Sequence, residues 1–242
     1  MTPPRSRIFL LSHMRAYTSL VGHILGSHPE IDGYYELHRS YLSADDLEAQ
    51  LAQYAAHDAL KPNGRYLFDK LLHNDHALNL ALPELADATV LVSLLEPEAT
   101  LKSTIDLFAR KSREDLYATP AGATRYYVDR LAALAELSLG HPGRYRYFDA
   151  PLICDDPPRL LAALADWLGL AAPLSESYGT FAMTGVPGAG DSSPAMATGR
   201  ILRRRPSIPD VALDPALLQQ AEAAYRDCRA RLIAHAAETV LM

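Results

Sequence analysis

Arg15, Thr18 and Ser19 stand at the start of a helical pattern, directly behind an apolar run, and residues of these types at this spacing can bind an oxyanion. The run is Ile8-Phe9-Leu10-Leu11, the connection is Ser12-His13-Met14-Arg15-Ala16-Tyr17-Thr18-Ser19, and the apolar helical face Leu20, Val21, Ile24, Leu25 follows. A buried strand feeding a short basic, hydroxyl-bearing turn at a helix start offers an anion free backbone N–H groups and the positive end of the helix dipole. Other side chains add proton chemistry. Glu36, in Gly33-Tyr34-Tyr35-Glu36-Leu37-His38, lies just past the first helix and is a proton acceptor. Lys70-Leu71-Leu72-His73 supplies a cation and an imidazole, a group that titrates near neutrality. His13 and His38 are further proton-accepting candidates. The blander reading is a strand–helix connection with a surface Arg, a surface Glu at a strand end, and Lys70 paired with Asp69.

Elements of alternating type must position these groups. Apolar runs at 8–11, 65–68, 89–95 and 145–148 predict strands, and residues 30–35 predict a short one. The run Thr89-Val90-Leu91-Val92-Ser93-Leu94-Leu95 is nearly continuous, as expected of a strand covered on both faces. Ser43 with Asp46 marks a helix start, as do Pro97, Thr119-Pro120, Asp156-Pro157, where Asp156 is expected to cap the helix, and Asp214-Pro215, the last opening a helix to about residue 239. The alternation predicts an α/β fold: a three-layer α/β/α sandwich with a central, mostly parallel sheet, whose ligand binds at the carboxyl ends of the strands. Residues 1–242 are expected to form a single domain, with 185–206 a mobile loop and basic segment, since long Gly/Pro/Ser-rich loops are uncommon unless functional.

Composition excludes several classes. A net charge of −6 argues against a general nucleic-acid or acidic-membrane surface. No apolar run has membrane-spanning length, and the two cysteines, Cys154 and Cys228, form no paired Cys/His spacing, so neither a disulfide framework nor a metal site is expected. The apolar run at 8–11 is too short for a secretory signal, so a cytoplasmic location is expected. The anion turn has no glycine between Arg7 and Gly22 and so lacks the Gly-x-x-x-x-Gly-Lys-Ser/Thr motif of nucleoside-triphosphate loops.

The turn resembles the 5′-phosphosulfate loop of the sulfotransferases that use 3′-phosphoadenosine-5′-phosphosulfate (PAPS). In that family a strand ends in Lys or Arg, a few small residues, then paired Ser/Thr; Arg15, Thr18 and Ser19 fall on these positions, while Tyr17 stands where a small residue, often Gly, is usual. Residues 90–108 resemble the family's 3′-phosphate segment, Arg-Asp-Pro with a Ser eight residues beyond the Arg. Pro97 and Ser103 match, but Leu95 and Glu96 replace Arg and Asp, leaving Lys102, Arg110 or the Arg203-Arg204-Arg205 run to supply the cation. Tyr147-Phe148-Asp149, Asp156-Pro157 and Trp167-Leu168-Gly169-Leu170 are similar to a structural segment common across the family, with Trp167 in the core. The stretch from Gly190-Asp191-Ser192-Ser193 to Gly199-Arg200 resembles its C-terminal loop, which closes over the 3′-phosphate.

The resemblance covers residues 7–205 and implies the P-loop-like sulfotransferase fold, with PAPS as co-substrate and no metal. It places the donor against His13, Met14, Arg15, Ala16, Tyr17, Thr18, Ser19, Ser103 and Arg200. The acceptor is then a hydroxyl or amine of a small molecule or glycan, beside stretches 34–41, 116–127 and 183–196. Arg15 becomes the electrostatic clamp, Glu36 or His73 the base, and Lys70 a contact to the sulfuryl or acceptor group. Two alternatives stay open: a nucleotide-binding protein of the same fold without turnover, suggested by Tyr17 and Leu95, and a P-loop kinase, which the missing glycine–lysine motif disfavours.

Overall fold

The structure, a computed structural model, describes residues 5–112, 114–186, 188, 190, 193–203, 205 and 207–242. Asp191, Ser192 and Arg204, and with them parts of the C-terminal loop and basic run, lie outside the described residues. Strands β1 (Ser6–Leu11), β2 (Ile31–Asp32), β3 (Tyr66–Leu71), β4 (Thr89–Leu94), β5 (Arg146–Asp149) and β6 (Glu238–Val240) form one six-stranded sheet in the order β2-β3-β1-β4-β5-β6. Every neighbouring pair is parallel. From β1 the chain passes to the edge strand β2, returns to β3 beside β1, then crosses to β4 on the other side of β1. The strand order therefore reverses beside β1, where doubly wound sheets open a crevice at the strands' carboxyl ends.

Alternation along β1 explains the layers. Phe9 and Leu11 face one side and pack with Leu47 of α2 (Ala44–Ala55), Leu101 and Ile105 of α3 (Pro97–Lys111), Leu131 and Leu134 of α4 (Pro120–Gly140), and Leu232 of α7 (Pro215–His235). Ile8 and Leu10 face the other, against Val21, Ile24 and Leu25 of α1 (Thr18–Ser27), Ile153 of α5 (Leu152–Asp155) and Leu160 and Leu164 of α6 (Pro157–Leu168). A strand with both faces buried must be apolar at every position, which is why 8–11 shows no polar alternation. Among the described residues no helix is long and apolar enough to cross a membrane.

Local chemistry sets most boundaries. Ser43 and Asp46 form a reciprocal capping box at α2, and the Thr119 and Asp214 side chains accept from Gly122 N–H and Ala216 N–H at the starts of α4 and α7. Four expectations are corrected. Asp156 precedes α6 without a side-chain cap bond. Trp167 is half-buried at the rim of the core, where its indole N–H donates to Glu238 Oε2 at 3.0 Å. The predicted strand at 30–35 shortens to Ile31–Asp32 because Gly33 turns the chain with φ +89°, where a Cβ would sit 2.3 Å from Phe68 O. The last helix stops at His235 instead of near 239; Ala237 N–H then donates to Tyr145 O, and β6 pairs with β5.

Helix α1 and the segment before Glu36 are in direct backbone contact. A Cβ on Gly22 would lie 2.3 Å from Tyr34 O, and one on Gly26 2.5 Å from Gly33 O. In an uncrowded helix Gly→Ala stabilises by about 1 kcal/mol. Gly26→Ala is expected to do the opposite, lowering the unfolding free energy by about 1–3 kcal/mol because it overpacks a backbone contact. Urea unfolding measures the sign, and a stabilised variant would show that the helix does not rest on this segment.

Candidate active site

Past Leu11 the turn is held from below by β4. Ser12 Oγ donates to Ser93 O at 2.7 Å. His13 is fully buried; its Nε2 accepts Leu95 N–H at 3.1 Å, which puts the ring proton on Nδ1, within 2.9 Å of Met14 O. Burial is the main cause that pushes this imidazole down to about 4. His13 is therefore a neutral brace whose two nitrogens are engaged, leaving no lone pair for substrate.

Beyond it the backbone is strained. Arg15, Tyr17 and His38 are the non-glycine residues with positive φ among those described, at 67°, 56° and 52°. All three line the same cavity. Left-handed backbone costs an ordinary side chain roughly 1–2 kcal/mol, and such strain persists only where surrounding contacts enforce it. It also gives a reason why Gly is usual at the position of Tyr17. Tyr17 precedes α1 without a side-chain cap bond, and no acidic residue lies in the helix's first turn, so the positive end of its dipole is not offset locally.

The cavity measures about 730 Å³ and opens at the carboxyl ends of β1, β3 and β4. Of the expected donor-binding residues, Met14, Arg15, Tyr17, Thr18, Ser19, Ser103 and Arg200 line it, while His13 and Ala16 lie behind the wall. Arg15 Nε donates to Ser103 Oγ at 2.9 Å, joining two segments 88 residues apart. Lys70 is 1% exposed, within β3; alternation sends it away from Asp69, and its Nζ donates to Ser19 Oγ at 2.9 Å.

Glu36 lines the same cavity with 6% exposure, and its Oε1 makes no hydrogen bond among the described residues. That oxygen lies 3.5 Å from His38 Nδ1, while His38 Nε2 donates to Gly188 O at 2.7 Å. His73 is also in the wall, its ring 5.3 Å from that of Tyr126. Burial lowers its pKa, with the nearby Glu36 charge acting in the opposite direction. The turn after β1, Lys70 and both base candidates thus line one space.

The proposed substitutes for a cation at Leu95 separate. Leu95 packs against Ala16, Ala150 and Tyr17 and is 3% exposed. Lys102 pairs with Glu98, Arg203 with Glu176, and Arg205 with both Asp155 and Glu96. Arg110, paired with Asp106, is the candidate that lines the cavity. Among the described lining residues, the cations are Arg15, Lys70, Arg110, Lys111 and Arg200 and the carboxylates are Glu36 and Asp106. Within a chain of net charge −6, the described lining of this cavity thus carries more cations than carboxylates.

Several residues that support the site escape a pattern-based reading. Asp69 is fully buried and accepts Leu37 N–H at 3.0 Å, Lys70 N–H at 2.8 Å and Tyr41 O–H at 2.5 Å, tying the segment after Glu36 to β3. Burial raises its carboxyl to about 7, and the Glu36 charge adds to the shift. Arg130 falls within the apolar stripe of α4, and a charged residue there was the available signal. Among the described residues no cluster of His, Cys, Asp or Glu is arranged to hold a metal ion.

The assembled architecture matches solved structures. The sulfotransferase domain from the curacin biosynthetic pathway is 16% identical with a TM-score of 0.51, covering 93% of this chain and 98% of that one. The sulfotransferase domain from the Synechococcus PCC 7002 olefin synthase is 20% identical with a TM-score of 0.50, covering 92% and 97%. No family model and no curated protein sequence matches the chain. The fold is that of sulfotransferase domains, over nearly their whole length.

Asp69 and His13 impose opposite pH slopes on stability. Unfolded Asp and His titrate near ~3.9 and ~6.5. Folded Asp69 keeps its proton to about 7, so across roughly pH 4–7 the folded chain holds more protons and this contribution falls as pH rises. Folded His13 stays neutral down to about 4, so from roughly pH 6.5 to 4 its contribution is lost as pH falls. Asp69→Asn is expected to make the stability–pH slope in this window more positive than in the unsubstituted protein, and His13→Gln more negative. Urea titrations across the window check both signs; unchanged slopes would mean these groups titrate normally when folded.

Proposed function

We propose that this protein is a sulfotransferase that moves a sulfuryl group from PAPS to a hydroxyl or amine of a small molecule or glycan. The observation that carries this reading is the convergence of Arg15, Lys70, Thr18 and Ser19 with the buried carboxylate Glu36 in one cavity of a sulfotransferase-type fold. A donor with phosphate groups fits a cavity where positive side chains outnumber carboxylates and an uncapped helix start adds its dipole. The cavity's volume also lies within the range of small-molecule sites.

The donor supplies an activated S–O bond to a phosphate leaving group. As that bond breaks and one forms from sulfur to the acceptor, the electron pair passes to the phosphate oxygen. Arg15, always charged and able to engage two oxygens, offsets this charge together with the first-turn amides and hydroxyls of α1. Lys70, held on Ser19, places a second cation beside the same turn. Glu36 takes the acceptor's proton; its Oε1 accepts no hydrogen bond among the described residues and lies 3.5 Å from His38 Nδ1. His73 is the second candidate, and its lowered pKa keeps it neutral but makes it a weaker base.

Arg15→Ala is expected to lower sulfuryl transfer by about 10²–10³-fold, the usual cost of removing one donor to developing negative charge. Glu36→Gln should lower kcat by about 10²–10⁴-fold while leaving calorimetric affinity for 3′-phosphoadenosine-5′-phosphate, measured without magnesium, near that of the parent protein. A Glu36→Gln enzyme of normal rate would move the base to His73. Bisphosphate binding without donor consumption would favour the non-catalytic alternative, and preference for magnesium ATP would favour a kinase.

A further inference from the structure

We propose that Tyr126 and Arg130, one helical turn apart on α4, are positioning residues that fix the distance between the anion turn and the proton-accepting wall. The proposal rests on the sulfuryl-transfer reading of the cavity. The strands flanking the crevice run into loops, and α4 bonds to main-chain groups at those strand ends, where Leu71 O also accepts Ser12 N–H at 3.3 Å across the β1–β3 pair. Tyr126 Oη accepts Met14 N–H at 2.8 Å, next to Arg15, and donates to Leu72 O at 2.7 Å, next to His73. One phenol thus bridges the turn after β1 and the loop after β3. Arg130 repeats the bridge one level deeper: Nε donates to Ser12 O at 2.8 Å, Nη2 to Leu71 O at 2.6 Å and Nη1 to Asn74 Oδ1 at 3.0 Å.

Arg130 is 6% exposed, and the acceptors it bonds are neutral oxygens. Burying a charge without a bonded counter-ion is costly, and a purely structural role could be met by neutral donors. What guanidinium offers is a rigid fork that reaches both strand ends at once. The neighbouring Tyr127 O–H donates to Leu95 O at 2.7 Å, so the same stretch of helix also fixes the loop after β4. Catalysis by positioning is sensitive to such spacing: a displacement of about 1 Å can cost ~10²-fold in rate.

Tyr126→Phe removes the bridging oxygen and keeps the ring that packs against His73 and Tyr117. Arg130→Lys keeps the charge and loses the fork. Each is expected to lower kcat by about 10–100-fold while the affinity for 3′-phosphoadenosine-5′-phosphate changes by less than ~3-fold, because the turn that binds the donor is retained and only its distance from the base shifts. Hydrogen exchange should quicken in residues 12–16 and 71–74 and stay unchanged in β4. Parental exchange in both loops overturns the proposal, and so does quickened exchange with parental kcat per folded molecule. If the unsubstituted protein transfers no sulfuryl group, the reaction assignment fails by itself, and the exchange of Tyr126→Phe alone decides the clamp: quickening of both loops supports it.

Discussion

Parallel strands that end at one edge of a sheet leave main-chain carbonyls and amides with no sheet partner, in the place where a ligand is to bind. Those groups must be satisfied without filling the space above them. Here a single face of α4 does this, with two phenols and a guanidinium bonded to the ends of three adjacent strands. The strained Arg15 and Tyr17 backbone and the buried neutral His13 lie on a loop held in this way, while the segment of Glu36 is tied to β3 by Asp69. Without such bonds the turn would have no reason to keep left-handed geometry at two bulky residues.

The electrostatic arrangement follows the same logic. The protein carries excess negative charge overall, yet arginines and lysines collect along the crevice. Much of the remaining basic chemistry is spent in local pairs: Arg205 with Asp155 and Glu96, Arg229 with Asp149, and Arg203 with Glu176. Which cations remain for a ligand is thus decided less by their number than by which ones the acidic residues have already engaged.

The sheet and most helices were legible from residue patterns, because continuous apolar runs and Pro, Ser, Thr or Asp start signals act locally. The turn between β1 and α1 was legible as a strand–helix connection for the same reason, as its residues are contiguous. Edges were harder. The short strands β2 and β6 depend on partners far away in sequence, and nothing local to Glu238-Thr239-Val240 separates a strand from a continuing helix. Trp167 looked like core because of its size, although its N–H needs a polar partner at the rim. The roles of Tyr126, Arg130 and Asp69 were not legible, even though Arg130 stood out in an apolar stripe, since those roles lie in bonds to main-chain groups dozens of residues distant, which leave no sequence signature.

The pairing of β5 with β6 has a consequence for biosynthesis. The outer edge of Arg146–Asp149 cannot be covered until Glu238–Val240 has emerged from the ribosome, so at typical translation rates an unprotected strand edge persists for roughly 5–20 s. During that interval the nascent polypeptide offers a template for pairing with a neighbouring chain, which concentrates aggregation risk between the synthesis of β5 and that of β6 and makes chaperone capture most valuable there.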